Sequence, residues 1–290
     1  LTTSSARSPK PPNSLQRPPG FVFRTCSDIR SPANTSIATD IVMDIAFRNI
    51  KAVFRRELSA YFSSPIAYTI IVIFLLVSTG FAFWVGDLWD FGDASLTWTF
   101  FFFLPWFFVV LAPAVGMRLW ADEHRQGTIE LILTMPIHTW HAIVGKFLAS
   151  VLVWAIALLL TWPIVWTIQF LGDPDMGPIL SGYLGSFLFA SACVAISMAI
   201  SAFTRSQITC LLISITVCLG LTLLGYPQIV EQLMKMLPAN VVDGIADLSL
   251  MSHFLDMTKG VLVFRDILYF MSIIVVSLVV TSIAIRAKRS

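Results

Sequence analysis

Six apolar stretches of roughly twenty residues dominate the chain and leave few folds open to it. They lie near 65–85, 97–116, 144–170, 178–203, 208–227 and 266–286. A helix rises about 1.5 Å per residue, so each stretch can cross a ~30 Å hydrocarbon layer while its backbone hydrogen bonds close internally. Apolar residues make up 57% of the 290 and charged residues only 12%, and mean hydropathy is +0.81. An ordinary soluble domain is excluded by that balance. The expected fold is all-α and polytopic, a six-helix transmembrane bundle forming one domain.

The first 42 residues differ from all that follow. They are rich in Ser, Pro, Arg and Thr, hold no sustained apolar run, and are expected to be disordered. An Arg- and Ser-rich, acid-poor leader would suit a transit peptide. No methionine precedes Met43, however, and a helical pattern starts there. The reading favoured is an over-extended frame with Met43 as the natural start, followed by a transmembrane domain over 43–290.

From Met43 to about Phe62 the apolar positions Phe47, Ile50, Phe54, Leu58 and Tyr61 recur at three- and four-residue spacing, with Arg48, Lys51, Arg55, Arg56 and Glu57 between them. That pattern predicts a basic amphipathic helix on a membrane surface. The net charge of +2 says little until the charges are assigned to sides. With a cytoplasmic N terminus, the inner segments carry Arg48, Lys51, Arg55, Arg56, Arg118, Arg125, Lys146, Arg205, Arg286, Lys288 and Arg289, and the outer ones only Lys235, Lys259 and Arg265. This asymmetry predicts that both termini are cytoplasmic. Asp87, Asp90, Asp93, Asp173 and Asp175 then fall in the two short outer loops.

Within the spans, Pro105, Pro113 and Pro163 predict kinks. Ala190, Ser191, Ala192, Ala195, Ser197, Ala199, Ser201 and Ala202 in the fourth span permit close helix approach. The aromatic runs Phe100–Phe103 and Trp106–Phe108 read as lipid-facing bulk or an interfacial belt, with a wall for an apolar substrate as the alternative. Cys26, Cys193, Cys210 and Cys218 show no metal-ligand spacing and read as small packing residues. Between the fifth and sixth spans, Ile229, Leu233, Met236 and Leu237 recur at helical spacing, which predicts a short amphipathic or re-entrant helix on the outer side, a lid or a resting loop.

One polar connector stands out. Met117 to Lys146, MRLWADEHRQGTIELILTMPIHTWHAIVGK, separates the second and third spans. Asp122, Glu123, His124 and Arg125 end the second span, Gly127 breaks the pattern, Thr128 caps a short helix through Leu133, and Pro136 stops it. Ile129, Leu131, Ile132 and Leu133 make that helix apolar, so it requires a groove in a partner or the membrane surface.

These residues resemble a known family. ADEHRQGTIELILTMPI followed by VGKFLAS is similar to the cytoplasmic-loop signature of ABC-2 type transporter permeases, in which an acidic residue precedes GT-x-E-L-L-x-x-P and then GK. RRELSAYFSSPIAY upstream, GYLG at 182–185 and the Ser206-Gln207 pair resemble the gliding-motility-associated branch. The resemblance spans nearly everything from Met43 onward. It implies a permease subunit in a bacterial inner (plasma) membrane, paired with a second permease as a homo- or heterodimer. It also implies two cytoplasmic ABC ATPase subunits docked through coupling helices, and export of a hydrophobic or envelope-associated substrate. The coupling role falls on Glu123, Gly127, Thr128, Glu130, Leu131 and Pro136. Where this chain has Asp122-Glu123-His124, many relatives carry consecutive Glu residues.

The chain has no GxxxxGK[ST]; Gly145-Lys146 is followed by Phe147 and lacks the spaced upstream glycine. No cofactor is therefore expected on this chain, and ATP with Mg belongs to the partner. Two other classes were weighed. In an intramembrane metalloprotease, Glu123 with His124, and His138 with His141, would act as base and metal ligands. Those side chains lie in a connector instead of an apolar span, where Glu123 and Arg125 read as a solvated helix end. In a non-transporting anchor or assembly subunit, the connector would recruit a partner and move nothing.

Overall fold

A computed structural model describes residues 32–84, 100–127, 139–171, 175–235, 242, 244 and 246–287. Two units divide the chain, Leu1–Ile45 and Ala46–Ser290. The first contributes the N-terminal portion of α1 (Pro32–Ser63); the second holds the rest of α1 and every later element.

The described elements are all helices. After α1 come α2 (Pro65–Trp84), α3 (Leu104–Gly116), α4 (Arg118–Gln126), α5 (Thr139–Leu160) and α6 (Trp162–Leu171). They are followed by α7 (Met176–Phe203), α8 (Gln207–Leu223), α9 (Pro227–Met234), α10 (Leu250–Thr258) and α11 (Phe264–Ala287). Among the described residues, five stretches are long and apolar enough to cross a membrane: Pro65–Trp84, Leu104–Arg125, Thr139–Phe170, Met176–Phe203 and Phe264–Ala287. The chain is thus a multi-pass membrane protein. The expected fifth span is α8, apolar but only 17 residues long.

Two of the five differ from their expected form. The second continues past Gly116 through α4, so Asp122, Glu123 and His124 are helical residues on the same rod as the apolar α3. Its expected start at 97 lies outside the described residues. The third breaks at Thr161, two residues before Pro163. Thr161 Oγ1 donates to the Leu158 carbonyl at 2.7 Å and lies 3.0 Å from the Tyr183 hydroxyl, so the break is hydrogen-bonded across to α7.

The centre of the bundle is α7, packed against α3, α4, α5, α8, α10 and α11. Its small residues are what allow so many neighbours. A Cβ on Gly116 of α3 would fall 2.6 Å from the Ser197 Cβ of α7, and Ser197 Oγ donates at 3.2 Å to the Pro113 carbonyl. Around α7, aromatic rings tie the bundle together. Phe108 meets Phe74, Trp154 and Phe189 at 5.3–6.2 Å, and Phe189 meets Phe254 and Phe270 at 5.7 and 6.2 Å. Phe100 and Phe101 of the expected lipid-facing run are buried here, with the Phe101 ring seated on Gly182.

The segment between α8 and α11 is more built than its periodicity suggested. Ile229 lies on α9, while Met236 and Leu237 fall outside the described residues. The sequence pattern gave no notice of α10, which is the buried element: Leu250, Met251, Phe254 and Met257 are fully enclosed. Ser249 caps it by accepting from the Met251 N–H at 3.1 Å and also donates to the Thr222 carbonyl of α8 at 3.2 Å.

Candidate functional site

Three consecutive residues near the end of α4 reach three directions. A helix turns about 100° per residue, so Asp122, Glu123 and His124 fan out around the rod. Asp122 accepts a hydrogen bond from Gln207 Nε2 at the start of α8 and sits 3.7 Å from Arg118 Nε, one turn back. Glu123 Oε1 lies 2.8 Å from Lys146 Nζ on α5 and 3.6 Å from Arg56 on α1. His124 Nε2 donates to the Ala202 carbonyl near the end of α7 at 3.1 Å. Four elements are thereby fastened to one turn of α4.

Lys146 is the hub. Its ammonium also meets Glu57 Oε1 at 3.0 Å and stands 5.2 Å over the Trp120 ring centroid. The side chain is 4% exposed, and those of Glu57 and Glu123 are 14% and 12% exposed. Arg56, 60% exposed, closes the group from the solvent side, 2.9 Å from Glu57. Two cations and two carboxylates balance, which is the condition for burying them.

Backbone contact sets this geometry. Gly145 lets α1 and α5 touch: a Cβ there would fall 2.9 Å from Val53 Cβ and 3.2 Å from the Ile50 carbonyl. Part of the α1 face expected to rest on lipid therefore meets protein. About two turns further along α1, the Tyr61 hydroxyl donates to the Val115 carbonyl of α3 at 3.3 Å. Burial, reinforced by the Glu57 charge, pushes this phenol well above its ordinary range, so it keeps its proton. Arg48, Lys51 and Arg55 remain exposed.

Gly127 terminates α4 in the left-handed conformation, φ 67°, its N–H bonded to the Glu123 carbonyl. Of the six residues expected to carry coupling, Glu123 and Gly127 are therefore neighbours on one helix end. Thr128, Glu130, Leu131 and Pro136 lie outside the described residues, as does His138. Glu123 is not the solvated residue expected of a helix end; Arg125 alone of that pair is exposed. The sequence reading missed Arg56, Glu57, Trp120, Lys146 and Gln207 as members of the site. For Arg56, Glu57, Lys146 and Gln207 the signal was available, since they sit inside RREL, GK and SQ, the same strings that carried the resemblance; Trp120 lies in none of them.

Glu123 and His124, weighed as base and ligand, are instead bound to Lys146 and the Ala202 carbonyl. Among the described residues, no group of three His, Cys, Asp or Glu side chains is placed to hold a metal ion. The geometry is that of a junction where α1, α5, α7 and α8 meet the end of α4. A family model described as ABC-2 family transporter protein matches residues 40–286. No curated protein matches the chain.

Proposed function

Because the chain belongs to the ABC-2 transporter family, whose members are non-catalytic transport components, we propose that it is a permease subunit driven by a separate cytoplasmic ATPase. The connector from Thr128 to Pro136 is the coupling element, with Thr128, Glu130, Leu131 and Pro136 carrying the contact to the ATPase and Glu123 and Gly127 at its root. The carrying observation is the Glu123–Lys146 pair at 2.8 Å. These two residues stand on the helices that flank the connector, so a displacement at its tip reaches both together. Through Arg56, Gln207 and the Ala202 carbonyl, the same displacement reaches α1, α8 and α7.

In this reading α8 is a sixth span, its 17 residues being at the lower limit for crossing. Both termini and the α4 end face the cytoplasm of a bacterial cell, α1 lies along the inner membrane surface, and α9 and α10 face outward. Residues 43–290 form the transmembrane domain. Two permeases, alike or related, pair in the membrane and bind two ATPase subunits. The exported material is apolar or envelope-associated, and the RREL, GYLG and SQ strings favour the gliding-motility-associated branch.

The test is co-purification with the candidate ATPase, followed by Glu130→Arg and Gly127→Pro. Loss of complex formation or of permease-stimulated ATP hydrolysis is expected. If both survive both substitutions, the coupling assignment is wrong.

A further inference from the structure

From Ala46 onward, α1 turns one side to the bundle. Val53 stands over Gly145 and Glu57 pairs with Lys146 at 3.0 Å, so this side faces α5. A helix turns about 100° per residue, which puts Arg48, Lys51 and Arg55 within about 60° of one another on the far side. All three are exposed. Among the described residues, no carboxylate lies within ion-pair distance of any of them. Asp44, exposed one turn before Arg48, is the one acid near the stripe along the helix, which leaves three cations against one carboxylate.

The stripe has two unlike borders. Beside Lys51 lie Phe47, 67% exposed, and the half-buried Phe54 and Leu58. On the opposite border lie Arg56, Ser59 and Ser63, all exposed. Around the helix the order is therefore apolar, cationic, polar, which is the order of acyl chain, phosphate and water at a leaflet surface. The end of α1 is fixed at such a surface. Ser64 alone separates it from the membrane-length α2, and Tyr68, 51% exposed, meets Phe62 edge to face at 5.7 Å. Exposed aromatic residues at the end of a span belong to the water–lipid boundary.

We propose that Arg48, Lys51 and Arg55 bind the headgroups of anionic phospholipids in the inner leaflet. Guanidinium and ammonium groups donate to phosphate oxygens. In a zwitterionic headgroup the phosphate is already balanced by its own ammonium, so a stripe with surplus positive charge favours a headgroup of net negative charge. Arg56, next to Arg55, contacts Glu57 and Glu123. Lipid thus holds α1 on the side opposite the junction, and the charge of the leaflet bears on the base of the connector. This inference rests on the placement of α1 along the inner membrane surface proposed above.

Photolabelling of the full chain in phosphatidylcholine nanodiscs tests it. A small fraction of the lipid is phosphatidylglycerol or phosphatidylcholine, each carrying the same diazirine, and labels on residues 46–63 are mapped after digestion with a protease that does not cut at Lys or Arg. At physiological ionic strength the phosphatidylglycerol should label this stretch at least about fivefold more, the preference that one Lys or Arg contributes at an anionic surface. In Arg48→Gln/Lys51→Gln/Arg55→Gln the two lipids should label equally. Arg125→Gln/Arg205→Gln/Arg286→Gln removes as many exposed cations elsewhere and should leave the preference intact. Equal labelling by both lipids in the unmodified chain overturns the proposal, as does a preference that survives the α1 substitutions or is lost equally with the second set. So does displacement of the lipid from 46–63 by soluble polyglutamate, which would make the stripe a site for an acidic protein segment. Absence of label from both lipids overturns it by removing α1 from the membrane surface, a failure of the placement and not of the headgroup preference. Neither ATPase nor substrate is used, so no result here touches the coupling assignment.

Discussion

Lys146 and Glu123, 2.8 Å apart, close the base of the connector between α4 and α5. Their bridge is enclosed by Trp120 on one side and Glu57 on the other. In that setting the attraction is weakly screened, and either partner left alone is a buried charge.

Replacing Lys146 by Met is therefore expected to destabilise the protein by about 3–5 kcal/mol, since it leaves two carboxylates facing each other out of water. Thermal unfolding in detergent, followed by tryptophan fluorescence, reads the loss. Adding Glu123→Gln to Lys146→Met should recover part of it, because the repulsion between the two carboxylates is removed and Glu57 keeps Arg56 as its counter-charge. If the two changes simply add, the pair is not coupled.

The approach of α1 to α5 makes a steric prediction. Gly145→Ala places a Cβ 2.9 Å from Val53 and should cost about 1–3 kcal/mol. Val53→Ala in the same chain removes Cγ1 but leaves the Val53 Cβ 2.9 Å away, so it should return only part of that stability in the unfolding measurement. A double variant with no recovery at all would mean that the Val53 Cβ and the Ile50 carbonyl, 2.9 and 3.2 Å away, set the limit.

Gly127 is a conformational case. A Cβ there meets nothing within 4 Å, so Gly127→Ala costs only the left-handed backbone, about 1 kcal/mol, and Gly127→Asn less. Partner-stimulated ATP hydrolysis should follow the order Gly, Asn, Ala. An alanine variant as active as the parent would show that the α4 terminus need not be held in this geometry.

Sidedness can be read directly. Reporters placed at Asp90, Asp173 and Lys235 are expected outside, and at His124 and Arg205 inside. Arg205 and Lys235 flank α8, so finding them on one side would remove the sixth span. A full inversion would place the connector beyond reach of ATP and end the transporter reading.

Much of the bundle was legible because hydropathy is a local property: Pro65–Trp84 and Met176–Phe203 coincide with apolar runs. The end of α4 was not, because Asp122, Glu123 and His124 look like a loop until Gln207, Lys146 and the Ala202 carbonyl are brought to them. Charge satisfied across the fold leaves no trace in a window along the chain. The same holds for α10. Leu250, Met251, Phe254 and Met257 keep helical spacing, but Asp247, Asp256 and Lys259 dilute it below what a membrane-length search detects. Glu123, expected as part of a solvated helix end, lies instead in an enclosed pair with Lys146.

The four-charge junction also bears on biogenesis. Glu57 and Glu123 leave the ribosome before Lys146 does, and synthesis runs from the N terminus. When α5 arrives at the membrane, both carboxylates are already present to receive its ammonium. The order of the chain thus spares the nascent protein a stage in which Lys146 is delivered with no counter-charge yet made.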